Sequence, residues 1–232
     1  MVRILGEYFI VFLIYSIMGW LYEVIAMIIF DHKLVNRGFL IGPYCPIYGC
    51  GALLMTFLLK DYINNPLVLF ILIVVVCSIL EYSTSYIMEK IFKMRWWDYY
   101  KFKFNINGRV CLEILALFGL FGLFVMYIGN PFFFKVLGNL SDTNVYIISG
   151  ILLAIFIIDM IASTRIIKRI NTVSIAASKK IKSNLSNAVD NTEIITKMVF
   201  ETIRRSHDKW RKRIISSFPG LKIIRFKVKD KK

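Results

Sequence analysis

Histidine and cysteine are scarce in this sequence, and the motifs of common soluble enzymes are missing. His32 and His207 are the only histidines, and the four cysteines include no Cys-x-x-Cys pair and no zinc-site spacing. No GxxxxGK[ST] phosphate loop, HExxH motif or GxSxG motif occurs. We therefore predict no enzyme activity, no catalytic residues, no metal and no cofactor. Any nucleotide hydrolysis would require a separate chain.

Charge is almost absent from several long stretches, which are strongly apolar instead. Hydrophobic residues make up 57% of the chain, and the mean hydropathy is +0.63, whereas a soluble domain averages about 45–50% apolar residues. About 20 apolar residues cross a bilayer as a helix. The sequence therefore predicts an all-α, polytopic helical membrane protein with about five transmembrane helices. The predicted spans are Glu7–Phe30, Pro46–Leu59, Pro66–Met88, Val110–Phe134 and Val145–Ile167, of which the second is short.

Basic residues are distributed unequally between the two sides of these spans. The positive-inside rule places the Lys- and Arg-rich loops in the cytoplasm. It predicts an external N-terminus and a cytoplasmic C-terminal tail in a bacterial cell membrane. The predicted cytoplasmic loops contain Lys33, Arg37, Lys90, Lys93, Arg95, Lys101, Lys103 and Arg109, against Arg3, Lys60 and Lys135 on the other side.

The sequence divides at about residue 170 into a transmembrane helical domain, 1–170, and a basic tail, 171–232. Of the net charge of +15, +14 comes from the residues after Thr164. Between about Ala188 and Ser217, apolar residues recur at helical steps among basic ones, which predicts an amphipathic helix. We expect it to bind anionic lipid headgroups rather than nucleic acid. Its predicted lipid-surface residues are Arg204, Arg205, Lys209, Trp210, Arg211, Lys212 and Arg213. The final LKIIRFKVKDKK is either a short strand or irregular.

Four carboxylates lie inside the predicted spans: Glu23, Glu81, Glu113 and Asp159. A charged side chain at the centre of a membrane helix costs about 2.5–3.5 kcal/mol on insertion scales. Under the predicted orientation, all four lie in the cytoplasmic halves of their helices. Two interpretations remain open: a polar pocket that faces the cytoplasm, or structural ion pairs. The predicted substrate or ion pathway comprises Glu23, Glu81, Ser78, Ser85, Asn36, Arg37, Arg109, Glu113 and Asp159.

The loop segments also carry distinctive patterns. Residues 36–51 hold four glycines and two prolines among apolar residues, which is typical of irregular backbone covered by protein or lining a wet cavity. Residues 94–100, with Trp96 and Trp97, are interpreted as an interfacial anchor, and residues 105–109 as a turn. An alignment of the two halves of this region that matches Glu23 with Glu81 also suggests two parallel repeats. In this alignment, Gly49 corresponds to Asn107.

Taken in order, GWLYE at 19–23, NRGFLIGPYCPIYGCGA at 36–52, WDY at 97–99 and NINGRVCLE at 105–113 resemble the bacterial ABC-transporter permease family called type IV. The resemblance covers about residues 8–165 and leaves out the tail. It implies a multi-spanning permease with a separate ATPase subunit, and it assigns no role to single residues. Besides Glu23, Asn36, Arg37 and Arg109, the matching positions are Gly38, Gly42, Pro43, Pro46, Tyr48, Gly49, Trp97, Asp98, Asn107 and Gly108.

Two functions therefore stand at the sequence level. The first is a transporter permease subunit of unknown substrate that lacks its own ATPase and assembles as a homo- or hetero-oligomer. The alternative is a non-transporting membrane anchor or sensor, whose basic tail binds anionic lipid or a partner protein. A lipid-modifying enzyme ranks last, because only the carboxylates favour it.

Overall fold

The computed structural model describes residues 2–32, 36–92, 94–184 and 222–223. Its elements follow the order predicted for a helical membrane protein, with short strands in the loops. The helices are α1 (Val2–Asp31), α2 (Pro46–Leu58), α3 (Pro66–Phe92), α4 (Leu112–Phe124), α5 (Asn130–Gly138) and α6 (Asp142–Asn184). A 3₁₀ turn covers Lys60–Tyr62 and a π-helical turn covers Val125–Gly129. The strands are β1 (Met94–Arg95), β2 (Asn105–Ile106), β3 (Val110–Cys111) and β4 (Lys222–Ile223).

The all-α membrane fold is confirmed. Within the described residues, four helical segments are long and apolar enough to cross a bilayer: Val2–Ile29, Pro66–Phe92, Leu112–Gly138 and Asp142–Ile170. The 13 residues of α2 rise only about 20 Å, short of the roughly 30 Å hydrocarbon core. The second predicted span is therefore short in the structure as well, as its sequence indicated.

Helix α1 packs against α2, which is antiparallel to it, and against α6, which is parallel to it. The Tyr8 and Phe57 rings lie 4.7 Å apart near one end of the α1–α2 pair. Phe12 meets Phe156 of α6 at 5.6 Å, and Arg3 pairs with Asp142 at the start of both helices. Helices α1 and α6 therefore run in the same direction. This is the arrangement that an odd number of membrane crossings from α1 to α6 requires.

Helices α3 and α4 form a second antiparallel pair, and two apolar clusters join the pairs. One cluster centres on Leu69 and Ile73 of α3 with Met55 of α2. The other centres on Val11 and Tyr15 of α1. Between them, the segment from α4 to α5 is one continuous rod with a π turn in the middle, and π turns in helices are often found at functional sites.

The loop before α4 contains a β-hairpin built from β2 and β3. Arg109 N–H donates to the Ile106 carbonyl oxygen at 3.0 Å and closes the turn. Asn107 and Gly108 both have positive φ, at 54° and 66°, which is the backbone of a type I′ hairpin turn. The turn predicted at residues 105–109 is therefore present.

The repeat register is wrong in its second half. Gly49 lies in the first turns of α2, but Asn107, its proposed counterpart, lies in the hairpin turn. The two segments cannot correspond residue by residue, because the second connection contains a hairpin that the first lacks. Only the order of a long helix followed by a broken one recurs in both halves.

Helix α6 continues well past the predicted end of its span at Ile167, as far as Asn184. It therefore crosses residue 170, where we divided the chain. The amphipathic helix predicted between 188 and 217, with its basic lipid-surface residues, lies outside the described residues. Further on, β4 pairs antiparallel with β1 through Met94–Ile223 and Arg95–Lys222. Part of the final segment is thus a short strand.

Candidate functional site

The cavity between the helices has a volume of about 560 Å³, within the range of small-molecule sites. It lies among α1, α2, α3, α4 and α6 and reaches from the loops after α1 and α3 to the π turn. Most of its wall is apolar, and its polar groups are concentrated near the loops. The wall includes Glu23, Arg37, Tyr48, Glu81, Tyr99, Met55, Cys77, Leu80, Phe118, Phe121, Val125, Trp97, Thr164 and Lys168.

Glu23 is fixed in the cavity wall by two partners. Arg37 Nη1 lies 3.2 Å from Glu23 Oε2, and the Tyr48 hydroxyl donates to Glu23 Oε1 at 2.7 Å. Tyr48 fits against α1 because position 19 is glycine: a Cβ there would overlap the Tyr48 ring. Glu23 and Arg37 therefore form an ion pair, in which one charge compensates the other.

Glu81 has a different environment. It is buried, at 5% exposure, and the Tyr99 hydroxyl donates to its Oε1 at 3.0 Å. Burial, followed by the nearby Glu81 carboxylate, raises the pKa of Tyr99 well above its ordinary value, so this phenol remains a donor at neutral pH. Among the described residues, Glu81 Oε2 has no hydrogen-bond partner and Glu81 makes no ion pair.

Arg109 does not pair with a carboxylate of the predicted set. Its Nη2 lies 2.8 Å from Oε2 of Glu89, and its Nη1 donates to Ser85 Oγ at 3.2 Å. The guanidinium also lies over the Tyr82 and Tyr86 rings, 5.6 and 5.4 Å from their centroids. Arg109 and Ser85 thus belong to an ion-pair network beside the cavity, which favours the structural interpretation for these two residues.

Glu89 was missed at the sequence level, although it connects two arginines. Arg95 Nε donates to the same Glu89 oxygen at 3.1 Å. Glu89 lies one helical turn before the end of α3, where a carboxylate is ordinary. The usable signal was the presence of two arginines, Arg95 and Arg109, in the loop that follows this helix.

Asp159 fixes the irregular segment rather than facing the cavity. Gly42 N–H donates to Oδ2 at 2.7 Å, Ile41 N–H donates to Oδ1 at 3.0 Å, and the Ser163 hydroxyl donates to Oδ1 at 2.7 Å. The Tyr44 hydroxyl also donates to Oδ2. Four donors satisfy the carboxylate, so the pocket interpretation does not apply to Asp159.

This arrangement explains how backbone without regular structure is accommodated inside the bundle. Leu40 is fully buried, and Cys45 N–H donates to the Ser16 carbonyl oxygen of α1 at 2.8 Å. Gly38 has a φ of 126°, which other residues rarely adopt. Protein covers the segment, as its composition predicted, and Pro46 then starts α2 at a favourable position.

Three further predicted pathway residues lie away from the cavity wall. Glu113 is exposed at the start of α4, because that helix turns its first residues outward. The Ser78 hydroxyl donates to the Val74 carbonyl oxygen of its own helix at 2.8 Å. Asn36 is exposed and accepts a hydrogen bond from Trp20 Nε1 at 2.7 Å. Glu113, Ser78 and Asn36 are therefore not part of the cavity wall.

The aromatic segment after α3 packs inward, so the interfacial-anchor interpretation is wrong for its tryptophans. Trp96 is buried, at 3% exposure, and its ring lies 5.7 Å from Phe39 and 6.1 Å from Phe92. Trp97 Nε1 donates to the Arg109 carbonyl oxygen at 3.0 Å. The rings close the loop end of the cavity instead of facing lipid, because the hairpin folds the loop back over the bundle.

Several matching motif positions have a packing role that their residue type explains. A Cβ on Gly49 would overlap the Phe12 carbonyl oxygen and the Ser16 hydroxyl, and one on Gly108 would meet the Asp98 carboxylate. Asp98 Oδ1 accepts the Tyr100 N–H at 3.1 Å. Pro43 is exposed. Gly49 thus allows α2 to pack closely against α1, and Asp98 and Gly108 shape the loop after α3.

A polar network at the opposite end of the cavity also went unpredicted. The Tyr15 hydroxyl donates to Asn130 Oδ1 at 3.0 Å, and Asn130 Nδ2 donates to Thr56 Oγ1 at 2.9 Å. Asn130 begins α5 directly after the π turn, so the network joins three helices at the rod's break. A buried Asn–Pro step within an apolar run was the signal.

These features define a polytopic helical membrane protein with an internal cavity at the junction of its helices. Residues 10–164 match the model of the family described as "Putative ABC-transporter type IV". The match covers more than half of the chain, and the protein belongs to this family. No curated protein and no solved structure matches the chain.

Proposed function

We propose that this protein is the membrane-embedded permease subunit of a transporter, with the internal cavity as its substrate site. The observation that carries the proposal is the cavity itself: about 560 Å³ inside a membrane bundle, with a buried acid in its wall. Membership of an ABC-transporter-type family supports the same function. The protein has no catalytic role in this proposal, and a separate ATPase supplies the energy.

The placement of the basic side chains supports the orientation that we propose. Arg37, Arg95 and Arg109 lie at the end of the bundle where α1 and α3 finish. The positive-inside rule places that end in the cytoplasm of a bacterial cell membrane. The cavity would then have its polar groups on the cytoplasmic side, where an ATPase docks.

The test is purification of the tagged full chain in mild detergent from its native host, followed by mass spectrometry. We expect a P-loop ATPase in stoichiometric amount. Lys101 and Lys103 are exposed in the loop between α3 and α4, so K101E/K103E should release the ATPase. The control K60E/K135E changes the same charge at exposed positions of the opposite end and should retain it.

A chain that elutes without any P-loop ATPase would contradict the permease proposal. Equal loss of the ATPase from both double variants would contradict the proposal that the end with Lys101 and Lys103 is cytoplasmic. The loss would then depend on the change of charge and not on its position.

The anchor or sensor function has one observation in its favour: β4 of the tail pairs with β1 beside the cavity. In that case the tail recruits the partner. A chain truncated after Asn184 keeps α6 whole and separates the two functions. Loss of every bound protein on truncation supports the anchor, and retention of the ATPase supports the permease.

A further inference from the structure

The buried acid in the cavity carries an inference about the substrate. We propose that the cavity binds a compact amphiphile with a protonated amine, whose ammonium group lies against Glu81 and whose apolar body lies toward the π turn. The inference rests on the proposed function, because it names the substrate class of the same site.

The first step is the charge of Glu81. Its carboxylate is buried, one oxygen accepts from Tyr99, and among the described residues Oε2 has no partner. A buried carboxylate without a partner is costly, and a ligand that supplies an N–H donor and a positive charge offsets that cost. An anion in the same position would increase it.

The second step is the charge of the remaining wall. Glu23 is compensated by Arg37 at 3.2 Å. Lys168 also lines the cavity but is exposed, and it makes no ion pair with Glu81 within the described part of the chain. The inner part of the cavity therefore presents one carboxylate with a free acceptor.

The third step is the shape and polarity of the space around that carboxylate. The rings of Tyr48, Tyr99 and Phe118 line the cavity with Glu81, and aromatic faces attract cations. Beyond them the wall is apolar, with Met55 and Val125 at the deep end. A cation alone would leave this apolar wall without a contact, whereas an apolar body fills it.

The experiment compares three probes with one skeleton in the purified full chain in nanodiscs: 1-adamantylamine, 1-adamantanol and 1-adamantanecarboxylate at neutral pH. We expect the amine to bind at least tenfold more tightly than the other two. E81Q should abolish that preference. The control E113Q removes the same charge from an exposed glutamate outside the cavity wall and should preserve it.

Equal binding of the amine and the alcohol to the unmodified protein would overturn the proposal, and so would an undiminished preference in E81Q. The three-probe comparison needs no variant, so it decides the question even if E81Q fails to fold. Binding is measured without an ATPase. If the protein shows no preference for the amine but still binds an ATPase, the substrate class is wrong and the permease function stands. If it prefers the amine but binds no ATPase, the permease function is wrong and the amine site stands.

Discussion

Replacing Asp159 by alanine should release the irregular segment from α6. Gly42 N–H and the Tyr44 hydroxyl both donate to Asp159, and Ile41 N–H keeps only its second acceptor, Ser163 Oγ at 3.0 Å. Leaving a buried polar group without its partner costs about 1–3 kcal/mol. In D159A, Gly42 N–H and the Tyr44 hydroxyl lose their acceptor, and the hydrogen bonds from Ile41 N–H and the Ser163 hydroxyl to Asp159 are also lost. We therefore expect a destabilisation of about 3–5 kcal/mol.

The assay is thermal unfolding in detergent followed by tryptophan fluorescence. At about 2–4 °C per kcal/mol for a chain of this size, D159A should lower Tm by about 10 °C. A second readout is the reaction of Cys45 with a water-soluble maleimide in a C50S background, which should become faster. The control E113A changes an exposed acid, and its stability should stay within about 0.5 kcal/mol of the parent. Unchanged Tm and unchanged labelling in D159A would refute the proposed role of Asp159.

Two further substitutions test the packing beside the cavity. Glu89→Gln should destabilise the protein by about 3–5 kcal/mol, because it leaves the buried Arg109 guanidinium without its counter-charge; an unfolding transition like the parent's would show that the pair contributes nothing. Gly49→Ala should cost about 1–3 kcal/mol, since the added methyl overlaps the Phe12 carbonyl oxygen. The matched control Gly150→Ala adds a methyl at an exposed helical site with nothing within 4 Å, and should be neutral or slightly stabilising in the same melt. Similar losses in both glycine variants would contradict the close-contact explanation.

The membrane helices could be predicted because their signal is local. A run of apolar residues the length of a bilayer has few alternatives to a helix. The ends were harder to predict. Hydropathy ends the last span near Ile167, but α6 continues to Asn184, because a helix stops where its backbone bonding stops and not where the lipid does. The π turn at Val125–Gly129 likewise leaves the hydropathy of its run unchanged.

The candidate site could be predicted only in part, because ion pairs depend on three-dimensional placement. Glu23 and Arg37 form an ion pair, and they are close in the sequence because one short connection joins them. Asp159 looked like a pathway acid, but its principal donors are backbone amides 117 and 118 residues away, and backbone groups leave no sequence signal. The role of Glu81 in the pathway remains a prediction. Glu81 differs from the other three acids because it is buried and one of its carboxylate oxygens has no partner among the described residues.

The pairing of β4 with β1 has a mechanical consequence. Helix α6 reaches Asn184, and Lys222–Ile223 of the tail pair with β1, so the tail is attached to the membrane domain at two places. β1 ends one residue before Trp96, which contributes to the cavity wall. A partner that pulls on the tail would therefore load the backbone next to that wall, and a tag placed at the C-terminus would act on the same path.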